Sequence, residues 1–167
     1  MIRGGEQPAL MDLFLGFRSG SIGESSIVLI LAAAVYLIWT GTANWRLILA
    51  TVVGALAATV GFFYGGLIPG LTPDTASGGY AISAYMMSGS IMYVAVFMST
   101  DPVSGPNRPL AQYLYGFLIG TVSMTIRTFS GFPEGTSFAI MLGNTFASLF
   151  DEWSPKPKKK KKKAPAK

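Results

Sequence analysis

The stretch WRLILATVVGALAATVGFFY, Trp45–Tyr64, decides the fold class of this chain. A helix needs roughly 20 apolar residues to cross the hydrocarbon core of a membrane, and this stretch has that length. Its one charged residue, Arg46, lies beside Trp45 at the start of the stretch, as is typical of a membrane–water interface. The stretch therefore predicts a transmembrane helix.

Four more apolar segments repeat this pattern at residues 25–40, 81–99, 110–129 and 134–150. They are rich in Gly, Ala, Ser and Thr, which allow membrane helices to approach closely. The sequence thus predicts an all-α integral membrane protein with about five transmembrane helices in a domain at 25–151. We expect an extracytoplasmic segment at 1–24 and a disordered, Lys/Pro-rich cytoplasmic tail at 152–167.

Composition narrows the function classes. Half of the residues are hydrophobic, 13% are charged, and neither cysteine nor histidine occurs. Thiolate-held iron–sulfur clusters, His-ligated haem and the usual zinc sites are therefore excluded. The net charge of +5 comes from the lysine tail. On a membrane body such a tail indicates topology or an anionic leaflet, not nucleic acid, and it predicts a cytoplasmic C-terminus with the N-terminus outside.

A carboxylate stands at the end of the third apolar segment, in FMSTDPVS at residues 97–104. One interpretation is an interfacial Asp101 that stabilises a turn before Pro102, with Thr100 and Ser104 as local partners. The other is a cation site, because carboxylate, hydroxyl and carbonyl oxygens suit a hard ion such as Na⁺. Asp151, at the end of the fifth segment, is open to two interpretations as well: a solvated helix end, or a functional carboxylate, since a negative charge at a helix C-terminus opposes the helix dipole.

A glycine-rich turn, GSIGES at 20–25, precedes the first segment. Ser21 and Glu24 have the spacing of a capping box at a helix start. That role does not require Gly20 and Gly23. A glycine-rich turn at a helix N-terminus also offers N–H groups to a phosphate or a flavin edge, so both interpretations stay open.

Three further polar residues stand in the fourth and fifth segments: Arg127 and Glu134, which are expected at the outer end of the helices, and Asn144, inside the fifth segment. Glu134 follows Pro133 in a first helical turn, where both residue types are favoured. Arg127 lies seven residues before Glu134, and the intervening turn is expected to bring the two together as an ion pair. Asn144 is expected to hydrogen-bond a neighbouring helix.

Taken in order, these motifs resemble the C-terminal half of the NqrB/RnfD family, whose members are membrane subunits of ion-translocating redox complexes. The resemblance covers about residues 13–151 and is carried by the ordered set, not by one motif. Glu134 and the pair Phe150-Asp151 favour NqrB, which belongs to the Na⁺-translocating NADH:quinone oxidoreductase. The motifs are GSIGE (20–24), TDPVS (100–104), Ile126-Arg127 with PEG (133–135), and Asn144 with LFD (149–151).

The resemblance implies one half of a ten-helix fold in a bacterial inner membrane. It also implies membership of a complex of several subunits that transfers electrons from NADH to quinone and exports Na⁺. It implies a Na⁺-uptake role for Asp101 and Asp151, assisted by Thr100 and Ser104. It also places Gly20, Ser21, Gly23 and Glu24 near the FMN of the assembled subunit, with riboflavin and quinone as further candidates nearby.

The chain departs from the family pattern in its lysine-rich tail and in one motif. The family attaches FMN to a threonine in a Ser-Gly-Ala-Thr motif, and this sequence lacks that motif. We therefore expect no covalent flavin on this chain. Either a partner polypeptide supplies the N-terminal half of NqrB, or the chain is a truncated copy. Two alternatives stay open: an RnfD-type subunit of a ferredoxin:NAD⁺ complex, and a non-redox membrane remnant or transport subunit.

Overall fold

The computed structural model describes residues 10–16, 26–68, 77–87, 89–130 and 135–155. These residues fold into helices joined by turns and irregular loops. In chain order the helices are α1 (Leu10–Leu15), α2 (Ile27–Trp39), α3 (Trp45–Tyr64), α4 (Gly78–Met87), α5 (Ile91–Tyr93) with a π-helical continuation (Val94–Met98), α6 (Pro109–Phe129) and α7 (Thr136–Trp153).

The helix positions follow the apolar segments closely. Helix α3 has the predicted bounds, and α6 begins one residue earlier than predicted, with Pro109 at its first position, where the missing N–H costs no helical hydrogen bond. Helix α7 continues through Asp151 to Trp153, so Asp151 lies within its last turn. The short helix α1 was not predicted; it lies inside the segment expected at 1–24.

The third predicted segment is not one continuous helix. Helix α4 ends at Met87, and the axis of the following helical stretch, Ile91–Met98, differs from it by 65°. The second stretch then widens into a π-helix, in which the N–H of Ser99 bonds to the carbonyl of Val94, five residues earlier. Gly89 and Ser90 lie at this break, and such residues permit sharp bends.

Helices α3 and α6 form the most extensive packing contact. Their backbones approach closely because glycines stand at the crossing. A Cβ atom on Gly116 would lie 2.7 Å from the Cβ of Ala50, and one on Gly120 would lie 2.6 Å from the backbone nitrogen of Ala55. This is the small-residue packing expected of membrane helices. Helix α7 adds to the same core, where Tyr115 is fully buried.

Among the residues that the structure describes, α3 alone is a single helix long and apolar enough to cross a membrane, and the bent pair α4–α5 adds a second span if it counts as one. Helix α2 is apolar but short, and α6 and α7 carry polar residues such as Gln112, Arg127 and Asn144. The helical fold class is confirmed, whereas the count of five spans stays a prediction.

Candidate functional site

The carboxylate of Asp101 forms a tight turn at the start of the loop between the π-helix and α6. Its Oδ1 accepts a hydrogen bond of 3.1 Å from the backbone N–H of Val103. This bond, followed by one from the hydroxyl of Ser104, holds the pKa of Asp101 below its usual value, because both bonds favour the charged form. Asp101 is therefore an anion at neutral pH and remains accessible to solvent.

Thr100 does not point its hydroxyl into this turn. The hydroxyl donates to the carbonyl of Val96 at 2.7 Å, and Thr100 is buried. Ser99 behaves in the same way toward Ala95. These bonds satisfy carbonyl groups that the π-helical segment would otherwise leave without a helical partner. Ser104 is thus the predicted hydroxyl partner that reaches Asp101 in this structure.

Asp151 contacts the far end of the same loop. Its two carboxylate oxygens accept the backbone N–H of Asn107 at 2.9 and 3.1 Å, and Oδ1 also accepts the N–H of Arg108 at 2.9 Å. These N–H groups precede the first turn of α6, where a negative charge is favoured by the helix dipole. Asp151 therefore joins the end of α7 to the start of α6 across more than forty residues of sequence.

Further bonds shape the loop between the two carboxylates, residues 101–108. The N–H of Gly105 bonds to the carbonyl of Asp101 at 3.1 Å, and Gln112 donates to the carbonyl of Pro106 at 3.2 Å. The guanidinium of Arg108 donates to the carbonyl of Ser154, just beyond α7. The structure thus brings Asp101 and Asp151 to opposite ends of one loop that is fastened to α7.

This arrangement can attract a monovalent cation but does not form a complete divalent-metal cage. Within the described segments, no group of three or more Asp, Glu, His or Cys side chains converges on one point. Divalent sites built from protein groups usually combine several carboxylates, whereas the loop offers one carboxylate, a serine hydroxyl and backbone carbonyls, and the Asp151 carboxylate of α7 contacts its far end. The oxygen donors are those that suit Na⁺.

Arg127 lies at the opposite end of α6. Its Nη1 donates to the carbonyl of Tyr85 at 3.0 Å, and the guanidinium lies 4.4 Å from the centre of the Tyr85 ring. The Tyr85 hydroxyl in turn bonds to Thr128 at 3.0 Å. The expected partner Glu134 lies outside the described residues. Arg127 therefore fastens α4 to α6, and nothing in the sequence around Tyr85 signals this contact.

Asn144 joins α7 to α6. Its Oδ1 accepts a 2.6 Å hydrogen bond from the hydroxyl of Tyr115. Tyr115 was not singled out in the sequence, since one tyrosine among several gives no sign of its partner. The predicted flavin contacts cannot be placed in the same way: Gly20, Ser21, Gly23 and Glu24 lie outside the described residues.

The sequence reasoning also missed Gln112, Arg108 and Ser154, which shape the 101–108 loop. Gln112 is an amide in the first turn of a predicted membrane helix, and that polarity was an available signal. Arg108 and Ser154 carried none, because a loop arginine and a serine after a helix are ordinary at solvent-facing ends.

Residues 2–160 match the family described as NQR2, RnfD, RnfE. This chain belongs to the NQR2, RnfD, RnfE family. The match covers almost the whole chain, including α2 to α7 and both carboxylates of the 101–108 loop region. The NQR2, RnfD, RnfE family is a membrane family, in agreement with the apolar helices described above.

Individual relatives in the family are named as the B-type subunit of the Na(+)-translocating NADH-quinone reductase. The protein from Chlamydia pneumoniae is 39% identical over 154 residues, which is 90% of this chain and 31% of the relative. That from Chlamydia felis is 40% identical over 144 residues, 84% of this chain and 29% of the relative. That from Pseudomonas paraeruginosa is 34% identical over 146 residues, 86% of this chain and 34% of the relative. The chain spans about a third of the length of these relatives.

Proposed function

We propose that this chain is the C-terminal half of NqrB in a Na⁺-translocating NADH:quinone oxidoreductase. In this role it is a membrane subunit that supports electron transfer from flavin to quinone coupled to Na⁺ export. The observation that carries the proposal is the 39% identity to an NADH-quinone reductase subunit of this type over 90% of the chain. In this proposal the chain acts as part of an enzyme complex and not as a catalyst by itself.

The proposed role of the 101–108 loop is Na⁺ entry. Asp101 is an accessible anion whose neighbours are hydroxyl and carbonyl oxygens, the donors that hard cations prefer. Asp151 adds negative charge at the other end of the loop. The loop precedes α6 on the side that carries Arg108 and the lysine tail, so the positive-inside rule supports a cytoplasmic position in a bacterial inner membrane.

The FMN of the proposed complex does not find a fitting site in the residues that the structure describes. The candidate flavin contacts at 20–24 lie outside them, and the polar cavity beside Arg127 has a volume of only about 10 Å³. The attachment motif is also absent from the sequence. The described residues therefore carry no assigned FMN contact. Riboflavin and quinone stay proposals that rest on the family alone.

Affinity purification of this chain from its native membrane tests the complex. We expect co-purification of NADH-oxidising subunits and of a polypeptide with a Ser-Gly-Ala-Thr motif that fluoresces as a covalent flavoprotein after denaturing electrophoresis. Recovery of the chain without partners or flavin would refute the redox proposal and favour the non-redox alternative.

Replacement of Asp101 tests the ion role separately. In the assembled complex we expect Asp101→Asn to raise the Na⁺ concentration that gives half-maximal quinone reductase activity, with a smaller effect on the rate without added Na⁺. Glu152→Gln is the control, because Glu152 is an exposed carboxylate on α7 beside Asp151. An unchanged Na⁺ dependence in Asp101→Asn would refute the role of Asp101, whatever the purification shows.

A second candidate is an RnfD-type subunit, since the matching family includes RnfD. In that case the partners would be ferredoxin-type iron–sulfur subunits, and reduced ferredoxin would drive ion export. The same purification separates the two candidates, because an NADH-dehydrogenase-like flavoprotein among the partners supports the first and ferredoxin-type subunits support the second.

A further inference from the structure

A small cavity with both polar and apolar lining residues lies where three helical segments meet, at the end of α6 away from the 101–108 loop. Ser90 and Ile91 line it from the start of α5, Ser123 and Arg127 from α6, and Thr136 from the start of α7. Its volume is about 10 Å³. A cavity needs about 10–15 Å³ to hold one water molecule, so this one is at the lower limit for a single water.

Ser123 behaves differently from comparable residues in the chain. The buried threonines Thr51, Thr59 and Thr128 each donate to the carbonyl four residues earlier, at 2.8–2.9 Å. Ser123 is only 2% exposed, yet its hydroxyl has no hydrogen-bond partner in the part of the chain that the structure describes. A buried hydroxyl without a partner costs about 1–3 kcal/mol, so a missing polar partner is indicated.

Ser90 and Thr136 supply two more hydroxyls to the lining of the cavity. Ser90 and Thr136 are both buried, and their oxygens lie 3.0 Å apart as a hydrogen-bonded pair. One such bond uses one of the two hydroxyl protons, and each oxygen has two lone pairs. The pair therefore keeps hydrogen-bonding capacity beyond the contact that it makes with itself.

We propose that this cavity is a binding site for one internal water molecule, which bridges the hydroxyl of Ser123 to the Ser90–Thr136 pair. Buried waters typically make about three hydrogen bonds to polar groups that otherwise lack partners, and this cavity supplies three hydroxyls. The size excludes an organic ligand and a hydrated ion. The guanidinium of Arg127 in the wall opposes a bare cation such as Na⁺.

The position of the water explains why the helix break beside it is tolerated. Helix α4 ends before Ser90 and α7 begins at Thr136, so helix termini with incomplete backbone bonding meet here. Irregular backbone at membrane depth requires protein or water partners. A water held by α6 therefore connects the broken third segment to the start of α7.

A high-resolution structure of the assembled complex tests the site. At about 2 Å resolution we expect density for one water within roughly 2.7–3.2 Å of Ser123 Oγ and of one hydroxyl of the Ser90–Thr136 pair. Ser123→Val should remove this density, because valine fills the space and cannot bond. Thr125→Val is the matched control on α6, since Thr125 donates to the carbonyl of Thr121 instead, and it should retain the water.

The proposal is wrong if the wild-type map resolves other buried waters but none here, or if the density persists in Ser123→Val. An anomalous signal at this position after a bromide or thallium soak would also overturn it, because that signal would identify an anion or cation site.

Discussion

Replacing Asp151 by asparagine is expected to loosen the start of α6. The Asp151 carboxylate accepts three contacts of 2.9–3.1 Å from the backbone N–H groups of Asn107 and Arg108. Asparagine keeps one carbonyl oxygen and replaces the other acceptor by an NH₂ group, which cannot accept. A hydrogen bond to a charged group contributes about 1.5–3 kcal/mol, so the local opening free energy should fall by about that amount.

Amide hydrogen exchange of the assembled complex, followed by mass spectrometry, measures this change directly. Since about 1.4 kcal/mol corresponds to a factor of ten, exchange at residues 107 and 108 should accelerate roughly 10- to 150-fold. The lower end is expected because Asn107 is exposed. Glu152→Gln is the matched control, since it removes a neighbouring carboxylate that is exposed on the same helix turn.

Two outcomes would refute this reasoning. Exchange at 107 and 108 could be unchanged in Asp151→Asn, which would mean that the carboxylate does not hold the loop. Alternatively, Glu152→Gln could accelerate exchange equally, which would mean that general negative charge at the end of α7 matters, not the specific contacts of Asp151.

Three further predictions concern the packing and the charged turn. Gly120→Ala should lower the stability of the complex by about 1–3 kcal/mol, because a Cβ at this position overlaps the α3 backbone. Gly61→Ala is the control and should not lower the stability, because open space surrounds Gly61. Thermal unfolding in detergent compares the two variants. Tyr115→Phe should cost about 0.6–1.7 kcal/mol through loss of its interhelical bond, whereas the exposed Tyr113→Phe should be neutral in the same assay. Because its folded pKa is lowered, Asp101 stabilises its turn above its unfolded pKa and ceases to do so as the pH falls through the lower folded value. A ¹³C-carboxyl titration should place this transition at a lower pH than that of an ordinary aspartate side chain.

Much of the helical layout could be predicted from the sequence. Apolar length and an interfacial Trp45-Arg46 pair were enough to place α3 at its observed bounds, and Pro109 marks the start of α6. Hydrophobicity could not predict the break after Met87, because residues on both sides of it are equally apolar. The bend is accompanied by Gly89, Ser90 and the π-helical segment, and hydropathy does not detect the local backbone preferences of these residues.

The sequence identified the main residues of the candidate site but did not predict how they are arranged in space. Asp101 and Asp151 were identified as carboxylates in unusual places, yet their separation in sequence gives no indication that Asp151 contacts the loop that begins with Asp101. The contact of Asp151 with two backbone N–H groups is also invisible in a sequence, because backbone partners leave no residue-type signature. Tertiary packing of α6 against α7 creates that contact.

The π-helical segment Val94–Met98 has a consequence for how Asp101 can be altered. A π-helix accommodates one more residue than an α-helix in the same hydrogen-bonded ring, so this segment is equivalent to a single inserted residue. Successive residues of an α-helix are rotated by about 100° around its axis. Deleting one residue between 94 and 98 would therefore convert this segment to regular α-helix and leave the direction of Asp101 nearly unchanged, whereas deleting one residue from a regular helical turn before it would rotate Asp101 by about that angle. The place of a deletion, as much as the residue type that it removes, therefore determines the direction in which the Asp101 carboxylate faces.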